Sequence, residues 1–302
     1  MVRLAIFAGI LGAAAWGETL PLPANAPHAA RPGSINYVEG QASLDATPLD
    51  ASCVGILEMQ ANQSITTQAG KVEILLTPGV FLRVDNNSAV MMISPNLART
   101  EVQVDKGRAL IEVIDIHKEN DIEIDMNGAK ATLLKAGLYD FDVARNEVRV
   151  FHGVADVVFE DKKIKLDGGQ KLDLSGEKLK AQHLDARPFE DEFYRWNGLR
   201  SGYLSEASVS AARAYIGTGA EWYAPGWVGW GWYWNPWFGV YTFLPVDGVY
   251  YGPFGWGFYS PIEVFRSPFI FYGNYPHSFN EFHYPYGHGF PPPAGREGRI
   301  GR

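Results

Sequence analysis

The sequence predicts an all-β protein: a two-layer β-roll or solenoid-like sandwich, then a short helical segment and an aromatic, Gly/Pro-rich region. Three observations lead there. Apolar and polar residues alternate in short runs from about residue 31 to 184, the period that puts one set of side chains on a core and the other in water. Turn signals punctuate those runs roughly 7–11 residues apart, close to the spacing of all-β sandwiches, barrels and rolls. Long helical patterns are missing from the same stretch, which argues against parallel strands joined by helices. A closed barrel stays open as an alternative.

The chain begins with a leader-like segment. Arg3 supplies a short positive region, Leu4 to Trp16 is apolar, and Ala13-Ala14-Ala15-Trp16-Gly17 offers small residues for cleavage near Gly17 or Glu18. The apolar run covers 13 residues, whereas a bilayer span needs about 20. Residues 1–17 are therefore expected to be a signal peptide, and the mature protein to be exported, periplasmic or at the cell surface.

Residues 31–184 read as strand after strand and are expected to fold as a β-domain of their own. The alternation is clearest in Ser34–Glu39, Val102–Asp105, Ile122–Met126, Tyr139–Val143 and Val148–Phe151. Turn signals include Gly70, Pro78-Gly79, Lys106-Gly107, Asn127-Gly128, Gly137, Gly153 and Gly168-Gly169. Residues 188–217 form a helical connector. Phe189, Phe193, Trp196 and Leu199 recur at helical intervals behind the acidic Glu190, Asp191 and Glu192. Gly198 and Gly202 suggest that a first helix ends there and that Ser205 caps a second. The aromatic stripe is expected to dock on the β-domain.

Residues 218–290 are aromatic and rich in Gly and Pro, which predicts no regular helix; residues 291–302 read as a disordered tail. Composition marks the boundary near Pro188. Every lysine lies between Lys71 and Lys180, seven of the nine tryptophans lie between Trp222 and Trp256, and from Trp222 to Pro292 the charged residues are Asp247, Glu263, Arg266 and Glu281.

Several functional classes are excluded. A net charge of −8 without a basic run rules out nucleic-acid binding, which needs cations to displace phosphate counterions. The single cysteine, Cys53, forms no internal disulfide and no thiolate zinc site; it reads as a small buried apolar residue. His277, His283 and His288 match no metal-ligand spacing, so no metal and no cofactor are expected. Gly-x-Ser-x-Gly, phosphate-loop and dinucleotide-binding patterns are absent. Carboxylates are plentiful, but Asp140 and Asp142 illustrate their expected place, on the water-facing half of a strand. The chain reads as a non-enzyme.

A family resemblance follows from particular segments. Arg31-Pro32-Gly33-Ser34-Ile35-Asn36-Tyr37-Val38-Glu39-Gly40-Gln41-Ala42 resembles the opening of FecR-type domains, and Ser64 to Gly79 their central signature. Phe81-Leu82-Arg83-Val84, Asn87-Ser88 and Val102 to Ala109 continue it, with Val150 to Val157 and Gly169 to Leu172 as closing strands. Gly33, Gly79, Gly107 and Gly153 sit at expected strand reversals, where glycine tolerates positive φ, so these motif residues read as makers of the fold. The resemblance implies an extracytoplasmic β-domain. Members of the family regulate a sigma factor across a membrane; with just Met1, Val2 and Arg3 before the apolar run, that mechanism is not expected here. The aromatic region is similar to uncharacterised regions that accompany such domains, which implies a domain pairing and no activity.

One binding surface suggests itself. In an extended segment Trp230, Trp232 and Trp234 share a face, and with Trp237 they offer a platform for stacking on sugar rings or a protein. The alternative is that these rings pack on one another and on the β-domain. The sequence thus reads as an envelope protein with a protein-binding or scaffolding role. The second reading is glycan or cell-wall binding through the tryptophans, and the third an unrecognised hydrolase, for which a cleft with two carboxylates of perturbed pKa would argue.

Overall fold

The computed structural model describes residues 29–176, 178–217 and 231–266. The leader, Trp230, the three C-terminal histidines and the tail lie outside them. The first strands are β1 (Ile35–Leu44), β2 (Thr47–Leu49), β3 (Ser64–Leu75), β4 (Val80–Val84) and β5 (Ala89–Asn96). Next come β6 (Arg99–Lys106), β7 (Arg108–Val113), β8 (Asp121–Met126), β9 (Ala129–Leu133) and β10 (Gly137–Asp142). Five more follow: β11 (Glu147–His152), β12 (Val154–Phe159), β13 (Lys162–Asp167), β14 (Gln170–Asp173) and β15 (Gln182–His183). Helix α1 (Glu192–Gly217) follows, then hairpins β16 (Gly231–Asn235) with β17 (Val240–Leu244) and β18 (Val249–Tyr251) with β19 (Gly257–Tyr259), and helix α2 (Pro261–Arg266).

The first fifteen strands make one sheet, in the order β13-β12-β9-β8-β6-β5-β3-β4-β7-β10-β11-β14-β15, with β1 pairing β3 and β2. The protein is mostly β, as its alternation predicts, and its long sheet does not close into a barrel. Pairing is antiparallel apart from β6 with β8 among the described strands. One apolar cluster holds Leu82, Ile111, Phe141 and Val150 from one end of the sheet together with Val102, Ile124, Ala131 and Val157 from the other. Cys53 lies half-buried against this core.

Glycine sets the corners. Gly33, Gly79, Gly107 and Gly153 all have positive φ, at 96°, 82°, 71° and 97°, and at Gly153 a Cβ would lie 2.2 Å from the Tyr139 hydroxyl. Gly70 plays a different part from the turn its sequence context suggests. It sits inside β3 opposite Gly40 of β1, where a Cβ would come within 2.5 Å of the Gln41 backbone nitrogen. It is glycine because two backbones approach closely, not because the chain reverses.

The helical segment is longer than expected. Instead of two helices divided at Gly198 and Gly202, α1 runs unbroken for 26 residues. The glycines make room for rings: a Cβ on Gly198 would meet Phe254 at 3.3 Å, and one on Gly202 would meet Trp256 at 2.8 Å. Ser205 caps nothing; its hydroxyl donates to the Gly257 carbonyl at 2.5 Å. Helix formation also reaches the aromatic region, against expectation. The short α2 starts with Pro261 after Ser260, whose Oγ accepts from the Glu263 N–H, the arrangement of a capped first turn.

Helix α1 and the two hairpins cover the outer face of the sheet. Leu75, Phe81 and Ile114 of the β-domain join Leu204 and Ala207 of α1 with Val240, Tyr241, Phe243 and Phe258 in a second apolar cluster. A third gathers Leu110, Leu138, Phe151 and Leu184 around Phe193.

Candidate functional site

The outer face of β3, β4, β7, β10 and β11 carries charges that the overlying helix buries. Alternation dictates the arrangement: with Leu82, Ile111, Phe141 and Val150 pointing inward, Arg83, Glu112, Asp140 and Arg149 must point outward. Register places Glu73 opposite Arg83 and Asp140 opposite Arg149. All five of these charged residues have 0 % exposure, and Asp142 has 8 %. The expectation that Asp140 and Asp142 face water is therefore overturned, because α1 and the turn before it lie over them.

Two networks result. In the first, Glu73 accepts from Arg83 Nε at 2.8 Å, from Arg200 Nη2 at 2.8 Å and from Asn36 Nδ2 at 2.8 Å. Arg83 Nη1 donates to Glu112 at 2.7 Å and to Asn197 Oδ1 at 3.4 Å, and Ser201 Oγ donates to Glu112 at 2.6 Å. Asn36 also ties in β17, donating to the Tyr241 carbonyl at 3.0 Å and accepting from its N–H at 2.7 Å. In the second network Arg108 holds Asp140 through two bonds of 2.9 Å. Arg149 reaches Asp140, Asp142 and Glu147 at 2.8, 2.8 and 2.9 Å, and Lys171 bonds Glu147.

The two carboxylates on Arg83 respond in opposite directions. Burial works against ionised Glu73, but Arg200 and Arg83 outweigh it and hold its pKa below the ordinary carboxylate value. Burial also penalises ionised Glu112, and its attractions to Arg83 and Ser201 do not compensate, with Glu73 repelling it, so its pKa lies above that value. A carboxylate pair with divergent pKa values matches acid–base chemistry in electrostatics. Its geometry does not match: both side chains are fully buried beneath α1, with no exposure to a substrate.

The sequence left one signal unread. Val72-Glu73-Ile74-Leu75-Leu76, Phe81-Leu82-Arg83-Val84 and Ala109-Leu110-Ile111-Glu112-Val113 are apolar on both sides of a lone charge. Such near-continuous runs belong to strands covered on both faces.

The tryptophans take different places. Trp232 and Trp234 share one face of β16, as the extended pattern requires, and both are half-buried. Trp232 lies edge-on to Phe81 with ring centroids 4.9 Å apart and also meets Phe243; Trp234 packs against Tyr241 at 5.1 Å. Trp237, in the β16–β17 turn, is 80 % exposed. Trp230 falls outside the described residues.

The architecture defines a mostly β domain whose outer face is closed by a helix and two aromatic hairpins from the same chain. Residues 63–156 match the family model described as FecR protein, so the chain carries a FecR domain. Most of the segments that resemble the family fall within that range; β1 and β14 flank it in the same sheet. The crystal structure of "a putative anti-sigma factor from Parabacteroides distasonis ATCC 8503" at 2.50 Å is similar at a TM-score of 0.35 and 12 % identity, over 40 % of this chain and 59 % of that one. A second structure of the same description, at 1.65 Å, gives a TM-score of 0.36 and 11 % identity over 41 % and 61 %. The chain thus spans about three fifths of their length. No curated protein matches the sequence. No described helix is long and apolar enough to cross a membrane.

Proposed function

We propose that the chain is a non-enzymatic envelope protein in which a FecR-type domain, read as a two-layer roll, binds another protein or acts as a scaffold outside the membrane. One observation carries the reading: the buried charged groups of the sheet are used to join it to α1. Glu73, Arg83 and Glu112 bond one another and Asn36, Asn197, Arg200 and Ser201. Export rests on the apolar run Leu4 to Trp16 and the small residues at its end. Binding of a protein is also in keeping with the family match.

Glycan or cell-wall binding is the second reading, favoured by Trp237, which stands in solvent beside its packed neighbours. The test is a photo-cross-linking amino acid at position 237 in growing cells, with N-terminal sequencing of the mature chain. The scaffold reading expects a mature terminus near Glu18 and a discrete cross-linked envelope protein. Cross-links to no protein, together with co-sedimentation of the purified chain with insoluble cell-wall polysaccharide, would replace it by the glycan reading. Retained Met1 in the membrane fraction would refute export.

A further inference from the structure

The edges of the long sheet are built in different ways. Strand β15, at one end, has two residues, Gln182 and His183, and β2, at the free side of β1, carries Pro48 among its three. A very short strand and a proline each limit further pairing. Strand β13, at the other end of the sheet, has neither device. Its six residues, Lys162-Lys163-Ile164-Lys165-Leu166-Asp167, pair with β12 in a continuous register without a bulge.

The hairpin that makes β13 fixes which of its backbone groups stay open. Glu160 and Asp161 both have positive φ, 48° and 62°, and form a two-residue turn that closes on a hydrogen-bonded Phe159–Lys162 pair. Bonded and non-bonded pairs alternate from there along the ladder. Lys162, Ile164 and Leu166 therefore direct their N–H and C=O groups at β12, and those of Lys163, Lys165 and Asp167 point away from it. Two contacts agree with this phase. The Val154 carbonyl, opposite Asp167, accepts from the Leu134 N–H just past β9, and the Asp167 N–H donates outward to Gln170 Oε1 at 2.9 Å. Among the described strands β13 has no second neighbour, so the backbone groups of Lys163 and Lys165 form an open edge.

Side chains say what that edge can accept. Leu166 is buried in the apolar cluster, and Ile164 packs against it while staying half-buried at the rim. Lys163 and Lys165 lie on the outer side, exposed, beside Asp156 at 2.7 Å and Asp167 at 3.3 Å respectively. Lys162-Lys163-Ile164-Lys165 is also the densest run of lysine in a chain of net charge −8. Every antiparallel register that pairs both open residues with a second copy of β13 sets lysine against lysine, which is unfavourable. An acidic strand meets opposite charge at the same positions. We propose that the outer edge of β13 is a strand-addition site, and that its occupant is an extended segment of another protein with acidic residues opposite Lys163 and Lys165 and an apolar residue opposite Ile164. Main-chain bonds to Lys163 and Lys165 hold such a segment, its acids pair the lysines across the strands, and its apolar residue covers the rim of Ile164. The site rests on the protein-binding reading above and gives it a partner chemistry, and it does not involve Trp237.

The probe is a synthetic peptide with blocked ends, Thr-Glu-Val-Glu-Val-Thr, set against Thr-Lys-Val-Lys-Val-Thr and added to the intact protein. Fluorescence anisotropy of the labelled peptide reads affinity, and hydrogen exchange followed by NMR reads protection of the Lys163 and Lys165 amides. At low salt the acidic peptide should bind at least about ten-fold more tightly than the basic one and protect both amides. Lys165→Pro removes an edge N–H while the ladder to β12 keeps its bonds, and should weaken the acidic peptide at least about ten-fold with the melting temperature unchanged. If that variant does not fold, the double variant Lys163→Glu with Lys165→Glu decides, and it should reverse the preference between the two peptides. The proposal is overturned by no binding of the acidic peptide at about 1 mM, by binding without protection of those amides, or by a preference that charge reversal leaves in place. A wild-type dimer that Lys165→Pro dissociates would make a second copy the occupant and overturn it as well. A failed peptide beside a discrete protein cross-linked at position 237 removes the edge and leaves the protein-binding reading standing.

Discussion

The inner side of β4, β7, β10 and β11 presents Leu82, Val84, Ile111, Val113, Tyr139, Phe141, Val148 and Val150, and the outer side of the same strands presents Arg83, Glu112, Asp140 and Arg149. Both sets are buried, and each is held in a different way. The inner face gains from removing hydrocarbon from water, with no geometric condition beyond close packing. The outer face loses the hydration of several charges and is tolerated because each finds a partner. Alternation along a strand thus reports the chemistry of its two sides. It does not report whether the polar side meets water, since a later segment of chain can bring matching charges to cover it.

The largest expected effect breaks the outer face where it is most interdependent. Glu73→Gln leaves Arg83 and Arg200 buried without their shared counter-charge. Removing one partner of a buried pair costs about 3–5 kcal/mol, similar to the cost of Phe141→Ala on the inner face. Urea unfolding of the two variants side by side measures this. A loss below about 1 kcal/mol for Glu73→Gln would equate the network with an exposed ion pair and remove the parallel between the faces.

Next in size is Trp232→Ala, which probes the seam between the β-domain and the aromatic hairpin. The ring is half-buried against Phe81 and Phe243, so its loss should fall short of the full cost of a core aromatic, at about 2–3 kcal/mol. Unchanged unfolding would mean that the hairpin rests on the domain without stabilising it, and that residues 31–184 hold their fold unaided.

A smaller effect, with a definite sign, separates the two carboxylates. The folded-state pKa of Glu112 lies above its ordinary value of 4.5, so the folded protein holds that proton more tightly than the unfolded chain does. The contribution of Glu112 to stability is therefore lost as pH rises from about 4.5 through the folded pKa. Glu73 has the opposite sign: its pKa is lowered, so its stabilisation is complete above about 4.5 and fades as pH falls below it. Glu112→Gln keeps an acceptor for Arg83 and should stay within about 1 kcal/mol of wild type. Relative to wild type, this variant should gain stability as pH rises above 4.5. Thermal melts from pH 4 to 8 would show it, and a relative loss with rising pH would reverse the assignment of Glu112.

How much of this could be read in advance differs from one part to the other. The β-domain was legible because its determinants are local: alternation in Ile122–Met126, or a positive-φ glycine at Gly107, needs no knowledge of distant chain. The network was not, because burial of Asp140 depends on Arg108, Arg149 and Asp191, which come from three other parts of the sequence. The lone charges at Glu73, Arg83 and Glu112 were the visible clue. Continuity of α1 through Gly198 and Gly202 was hidden for the same reason, since the rings of Phe254 and Trp256 that fill the space above those glycines lie about 50 residues on.

The smallest expected effect on stability belongs to the residue with the clearest bearing on ligand binding. Trp237 is 80 % exposed, and its neighbours in the turn are held without its ring, since Asn235 Oδ1 accepts from the backbone N–H groups of Trp237 and Phe238. Trp237→Ala should therefore stay within about 0.5 kcal/mol of wild type, whereas Trp232→Ala and Trp234→Ala lower the melting temperature. If the aromatic hairpin meets a glycan, stacking must dominate, because β16 and β17 carry no charged side chain. Sedimentation with insoluble cell-wall polysaccharide should then be insensitive to salt, unlike a contact between surface charges, and Trp237→Ala should abolish it without altering the melt. Sedimentation that survives Trp237→Ala, or that disappears at high salt, would remove Trp237 from the contact. If the wild type does not sediment at all, the packed rings of Trp232 and Trp234 serve to hold the hairpin to the sheet, and the scaffold reading stands.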